Sequence, residues 1–193
     1  GWMTREEYAR AVDVGPVRGS RLPAGKAVAA ADVTRLFAAC DASPMGLRDR
    51  AALVLLFAGG LRRSEAVQLL FQDVDVAGRS VRVVGKGNKE RVVPLGEAAA
   101  ILAPWLAHRG PADGPLLQRV LKSGRLGGPL SPSGLYASLA KLGERCGVEI
   151  SPHNCRHTRI TSLLSGGADI ALVQRFAGHA SVTTTTRYDR RGD

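Results

Sequence analysis

The chain has 193 residues, 45% of them hydrophobic, and a formal net charge of +10. That length and apolar content suit one compact domain with a real core, plus an arm. No apolar run approaches the roughly 20 residues of a membrane span, and no signal-peptide core is visible, so neither insertion nor secretion is expected. So large a cationic surplus favours a polyanionic partner, nucleic acid first. Composition alone separates neither DNA from RNA nor either from an anionic membrane, and charge for solubility is the plainer reading. Cys40, Cys146 and Cys155 are odd in number and widely spaced, which makes no disulfide framework or paired zinc motif. A reduced, cytoplasmic setting is therefore expected.

In chain order, Thr4-Arg-Glu-Glu7 has the form of a capping box opening a short helix. Gly15 to Lys26 is rich in Gly, Pro and basic residues and reads as a linker or arm. A helical pattern begins at Asp32, with Val33, Leu36 and Phe37 on one face, and runs to about Asp41. A second apolar helix is expected from Leu47 to Ala58, stopped by Gly59-Gly60. Ser64 is a candidate cap for a third, which carries Ala66, Val67, Leu69 and Leu70.

The period then changes. Ser80 to Val84 and Glu90 to Leu95 alternate as strands do, and Gly85-Lys-Gly-Asn-Lys between them signals a hairpin. Helical pattern returns from Glu97 to His108. Leu116 to Leu130 is ambiguous, with Gly124 to Gly128 reading as a loop. Helices are expected over Ser133 to Cys146, Pro152 to Leu164, Ile170 to Phe176 and Val182 to Asp189. Pro152 fits a first helical turn, where its missing N–H costs nothing. The fold class is mainly α with a small antiparallel β-hairpin at one edge.

Several polar residues could carry chemistry. His153 and Arg156 are three apart and face the same way near a helix N-terminus, a setting suited to an anion. Taken alone they are more readily an ordinary polar pair. His153 and His157 have zinc-protease spacing, but position 154 is Asn and no third ligand is evident, so no metal site is expected. Arg62 follows a helix terminus and could fork onto phosphate oxygens, with Glu65 holding it in place. The plainer alternative is a surface ion pair. Lys86 stands at the hairpin turn, where it could reach a groove or donate a proton, or simply be solvated. Lys89 and Arg91 make the hairpin basic. Tyr188 alone would be packing, since a phenol of pKa about 10 is a poor neutral-pH nucleophile. Cations that stabilise the phenolate and the charge on phosphorus would change that.

The order and spacing of these motifs resemble the tyrosine recombinase (phage integrase) family, Xer-like members in particular, over about Leu22 to Arg190. The matching segments are Gly60-Leu-Arg62-Arg-Ser-Glu65, Gly85-Lys86-Gly-Asn-Lys-Glu-Arg91, His153-Asn-Cys-Arg156-His157-Thr158, and Gly178-His179 followed nine residues later by Tyr188. The resemblance implies a catalytic set of Arg62, Lys86, His153, Arg156, His179 and Tyr188, with Glu65 in support. Arg63, Lys89, Arg91 and Arg187 are the expected DNA contacts.

The resemblance also implies breakage and rejoining of double-stranded DNA at a specific site, through a 3′-phosphotyrosyl bond and without metal, ATP or other cofactor. A tetramer on DNA is expected of the full-length protein. Type IB topoisomerase-like relaxation, or a DNA-binding module that does not cut, are the alternatives. Residues 1–22 read as the tail of an N-terminal helical domain with a basic arm, and 23–193 as the catalytic domain. The exchange helix that usually follows the tyrosine is expected to be missing. Cys155 stands where an aliphatic residue is common, and a core contact is expected of it.

Overall fold

A computed structural model of the chain describes residues 26–85 and 88–178. The helices expected from Thr4 and over Val182 to Asp189, and most of the basic arm, lie outside them. Helix α1 (Ala30–Ala38) is amphipathic and sends Leu36 into the core. Helix α2 (Pro44–Leu53) begins three residues before the sequence-read start, because the Ser43 hydroxyl accepts the Gly46 N–H at 3.1 Å and Pro44 occupies the first turn. It widens at its end into a π turn, Val54–Ala58, which the hydrophobic pattern did not disclose. The turn bonds Gly59 N–H to the Val54 carbonyl at 3.2 Å.

Helix α3 (Arg63–Gln68) is capped at Arg62 rather than by Ser64. Ser64 already lies inside the first turn, where its hydroxyl has no cap to make. After a short 3₁₀ turn, β1 (Val74–Asp75), β2 (Ser80–Val84) and β3 (Glu90–Pro94) form an antiparallel sheet in the order β1-β2-β3. The β2–β3 pairing sets Val83 opposite Arg91 and Val81 opposite Val93. Residues 97–108, read as one helix, divide into a 3₁₀ segment (Gly96–Leu102) and α4 (Ala103–Arg109). The ambiguous stretch is a second small sheet, β4 (Gln118–Val120) against β5 (Leu126–Pro129). Part of the expected Gly124–Gly128 loop is thus strand. A Cβ on Gly127 would meet the Arg119 Cβ at 3.5 Å, an ordinary contact, so the pairing does not demand glycine there.

Helices α5 (Pro132–Cys146) and α6 (Pro152–Ser165) start as α2 does, with Ser131 and Ser151 accepting from Gly134 and Asn154 at 3.0 and 3.2 Å. Helix α7 (Ile170–Ala177) is capped by Asp169, whose carboxylate accepts the Ala171 and Leu172 N–H groups at 2.9 and 3.0 Å. None of the described helices is long and apolar enough to cross a membrane.

The main core gathers α1, α2 with its π turn, the three-stranded sheet, α4 and α5 around Leu36, Leu53, Leu55, Val81, Trp105 and Leu139, all fully buried. A smaller cluster joins Ile160 and Leu164 of α6 to Val173 and Ala177 of α7. Trp105 ties the first core to the following connection, donating its indole N–H to the Leu116 carbonyl at 3.0 Å. Truncating it removes both the buried ring and that bond. Trp105→Ala is expected to cost about 3–5 kcal/mol in urea unfolding, and a loss below about 1 kcal/mol would show that the core collapses onto the vacancy.

Candidate functional site

The π turn decides where the first functional side chain emerges. Its wide turn also carries the Leu61 N–H to the Leu55 carbonyl at 3.2 Å, and Leu61 is fully buried. Between them Gly60 takes φ +58°, and a Cβ there would lie 3.1 Å from the Phe176 ring and 3.3 Å from the Arg159 Cγ. Only glycine meets both demands cheaply. The chain then turns outward at Arg62, which keeps a β-like backbone as the cap of α3. Wide turns of this kind cluster at functional sites because they re-aim the residues that follow.

Glu65 sits in the first turn of α3 with 4% of its side chain exposed. Its Oε2 accepts the Arg62 backbone N–H at 2.9 Å and Arg91 Nη2 at 2.9 Å. Its Oε1 accepts Arg62 Nη1 at 2.8 Å and Arg91 Nη1 at 3.0 Å. Burial alone would push this carboxyl up. The forked bond from Arg91, the Arg62 N–H, the Arg91 charge and the bond from the Arg62 guanidinium outweigh it and hold the carboxyl at about 2. Glu65 therefore supports Arg62, as expected of it, and binds Arg91 equally.

Three arginines meet at the C-terminal end of α7. Arg91 Nε donates to the Phe176 carbonyl at 3.1 Å, Arg156 Nη2 to Ala177 at 2.6 Å, and Arg62 Nη2 to Gly178 at 2.8 Å. These are carbonyls that a helix end leaves without intrahelical partners, and the helix dipole makes them partly negative. Gly178 closes the helix in the left-handed conformation at φ +61°. Arg156 Nη1 also donates to the Gly60 carbonyl at 2.6 Å, so the guanidinium spans the π-turn exit and the α7 end. Arg156 is 6% exposed, whereas 39% of the Arg62 side chain is open to solvent. Arg62 thus retains outward-facing donors.

An open cleft of about 990 Å³ begins at Arg62 and runs between α3, the base of the β2–β3 hairpin and the end of α7. Lys89 and Arg175 line it, together with Ser64, Gln68 and Glu90. Lys89 is exposed there, as a DNA contact would be. Arg63 is exposed but does not line the cleft. His153 is exposed in the first turn of α6, one turn before Arg156. Cys155 is fully buried, and burial pushes its thiol well up, which fits a core contact. Lys86, His179, Arg187 and Tyr188 lie outside the described residues.

Arg91, expected among the DNA contacts, lines the cleft, but its side chain is only 15% exposed and its fork is occupied by Glu65. The sequence held a signal for this, because Arg91 and Val93 are two apart on a strand and share its inward face. Arg175 and Gln68 are cleft residues that sequence reading did not single out. Arg175 had only its place three residues before Gly178 to mark it.

Comparison with known proteins agrees with this geometry. Residues 26–193 match the profile of the phage integrase family. Tyrosine recombinase XerD of Corynebacterium glutamicum is 43% identical over 150 residues, covering 76% of this chain and 49% of the relative. The crystal structure of XerA recombinase superposes with a TM-score of 0.73 at 28% identity, covering 86% of this chain and 61% of that one. XerH site-specific recombinase bound to its difH substrate gives 0.69 at 25% identity, covering 88% of this chain and 51% of that one. The chain spans about half the length of the first curated relatives it matches.

Glu65 gives the site a pH signature. Its folded pKa of about 2 lies below the roughly 4.3 of an unfolded glutamate. The stabilisation is thus complete above about pH 4.3 and is lost as pH falls toward 2. Glu65→Gln is expected to cost about 3–5 kcal/mol at pH 6, since it strips a buried charge of its partner. That gap should close progressively in urea titrations between pH 4.3 and 2. A gap unchanged by acid would mean that Glu65 is not ionised in the folded protein.

Proposed function

The chain belongs to the phage integrase family, and from that premise we propose that it cuts and rejoins DNA strands at a specific site through a covalent phosphotyrosine. The observation that carries this reading is the pairing of Arg62 and Arg156 on successive carbonyls at the end of α7, beside an open cationic cleft. Two guanidinium groups so held are preorganised to take the two non-bridging oxygens of one phosphodiester. Carbonyl oxygens of α7 and of Gly60 orient them, and Glu65 holds Arg62 as well.

In the proposed reaction the Tyr188 oxygen attacks phosphorus, and the bond from phosphorus to the 5′ oxygen breaks. His153 accepts the phenol proton, and Lys86 delivers a proton to the departing 5′ oxygen. Arg62 and Arg156 bind the negative charge that builds on the phosphoryl oxygens, and His179 donates a further hydrogen bond. The products are a 3′-phosphotyrosyl bond and a free 5′ hydroxyl. Attack by a 5′ hydroxyl of a partner strand reverses each step, returns both protons and releases the tyrosine. One phosphoester is exchanged for another, so no ATP is needed, and the cationic side chains supply the charge stabilisation that a metal would otherwise give. Losing one such preorganised donor typically costs 100- to 1000-fold in rate.

Residues 23–193 serve as the catalytic domain in this reading and 1–22 as its arm. The partner is double-stranded DNA, met in the cytoplasm, on which the complete protein assembles as a tetramer. Lys89 and Arg63 contact the phosphate backbone, as does Arg187.

Tyr188→Phe is expected to abolish covalent capture of a nicked suicide substrate on a denaturing gel while changing DNA affinity less than about threefold. An undiminished covalent band would remove Tyr188 from the mechanism. Relaxation of supercoiled DNA without exchange between two sites would favour the topoisomerase-like reading instead.

A further inference from the structure

Three segments that the proposed mechanism uses converge on one side chain outside the catalytic set. Arg91 lies on β3 and its guanidinium is fixed on every edge. Nη1 and Nη2 fork onto the two oxygens of Glu65 at 3.0 and 2.9 Å, and Nε donates to the Phe176 carbonyl at 3.1 Å. Two glycines also flank the group. A Cβ on Gly85 would lie 3.4 Å from Arg91 Nη1 and 3.9 Å from Glu65 Oε1. A Cβ on Gly178 would lie 3.0 Å from Arg91 Nη1, 3.1 Å from Cζ and 3.3 Å from Nε. The Gly178 backbone therefore rests against the guanidinium with little room for a side chain, and Gly85 stands within ordinary contact distance of it.

Their places in the sequence give this contact its meaning. Gly85 is the residue immediately before Lys86, and Gly178 the residue immediately before His179. The third partner, Glu65, holds Arg62 through both its backbone N–H and its Nη1. Arg62, Gly85 and Gly178 are far apart in the chain, yet each meets Arg91 or the carboxylate that Arg91 grips. We propose that Arg91 is a positioning residue, the bearing on which the arginine, lysine and histidine segments of the site take their relative places. It is not a phosphate ligand. The proposal rests on the recombinase reading for the roles of Arg62, Lys86 and His179. The geometry also accounts for the residue type, because a lysine has no planar fork for two carboxylate oxygens and a carbonyl at once.

The test compares the chain with its Arg91→Lys, Arg91→Gln and Gly85→Val variants on a nicked suicide substrate. Gly85→Val leaves both charges in place and sets a branched side chain against Arg91 Nη1, so it reads the same contact where an Arg91 variant fails to fold. Urea unfolding of each variant identifies such a failure. All three are expected to bind DNA within about threefold of the parent, and to lose about 100-fold or more in single-turnover covalent capture at saturating DNA. Lysine should not rescue. Arg91→Gln combined with Glu65→Gln should be no worse than the poorer single change, because both act through one junction.

Salt dependence separates the roles even where no capture occurs. Removing a phosphate ligand lowers the slope of log affinity against log salt by about 0.9, and a positioning residue leaves it unchanged. A slope reduced by that amount in Arg91→Gln, or full capture by Arg91→Lys or by folded Gly85→Val, overturns the proposal. The recombinase reading fails separately, on absent capture by the parent chain or on capture by Tyr188→Phe.

Discussion

The forked contact between Arg91 and Glu65 is the constraint on which the rest of the site depends. A buried carboxylate is costly unless its lone pairs are filled, and here all four bonding directions are taken by two arginines. Filling them joins the start of α3 to the third strand of the sheet, elements that share little else near the surface. The end of α7 is then drawn in by the outer edges of the same guanidinium groups.

Helix α7 is joined to the molecule in two different ways. Its apolar face forms a small cluster with α6, apart from the main core, and only Phe176 reaches across. Burial of that kind fixes the helix against α6 but is nondirectional, so it leaves rotation and sliding weakly determined. Direction comes from the three carbonyls taken by Arg91, Arg156 and Arg62. Hydrogen bonds from planar, charged donors are geometrically strict and short. The hydrophobic effect brings α7 to the site, and the arginines set its final angle.

Much of this was legible in the sequence. Alternation in Ser80–Val84 and Glu90–Leu95 disclosed the hairpin, Pro152 disclosed the α6 start, and the three-residue spacing of Arg62 and Glu65 disclosed their contact. Ser43-Pro44 and Ser131-Pro132 carry the same start signal as Ser151-Pro152, and reading them alike would have placed α2 and α5 correctly. The π turn was not legible. Val54-Leu-Leu-Phe-Ala58 is compatible with any buried helical turn, and the extra residue is accommodated only because Gly60 can approach Phe176 and Arg159. Nor was β5, whose two glycines carry no strand signal and which is identified by its pairing with β4. The role of Arg91 was obscured because its charge suggested a partner in solvent, whereas strand periodicity pointed it inward.

The acceptors on α7 that orient the three arginines are all main-chain oxygens. A substitution can remove a side chain but not a peptide carbonyl. Outward positions of α7 such as Leu172 and Arg175, both exposed, can therefore exchange without disturbing the arginine geometry, provided the helix still ends at Gly178. Such a helix can acquire new preferences at its surface, beside the cleft, while the cationic centre behind it is inherited unchanged. The site separates what may diverge from what must stay fixed by writing the first in side chains and the second in backbone.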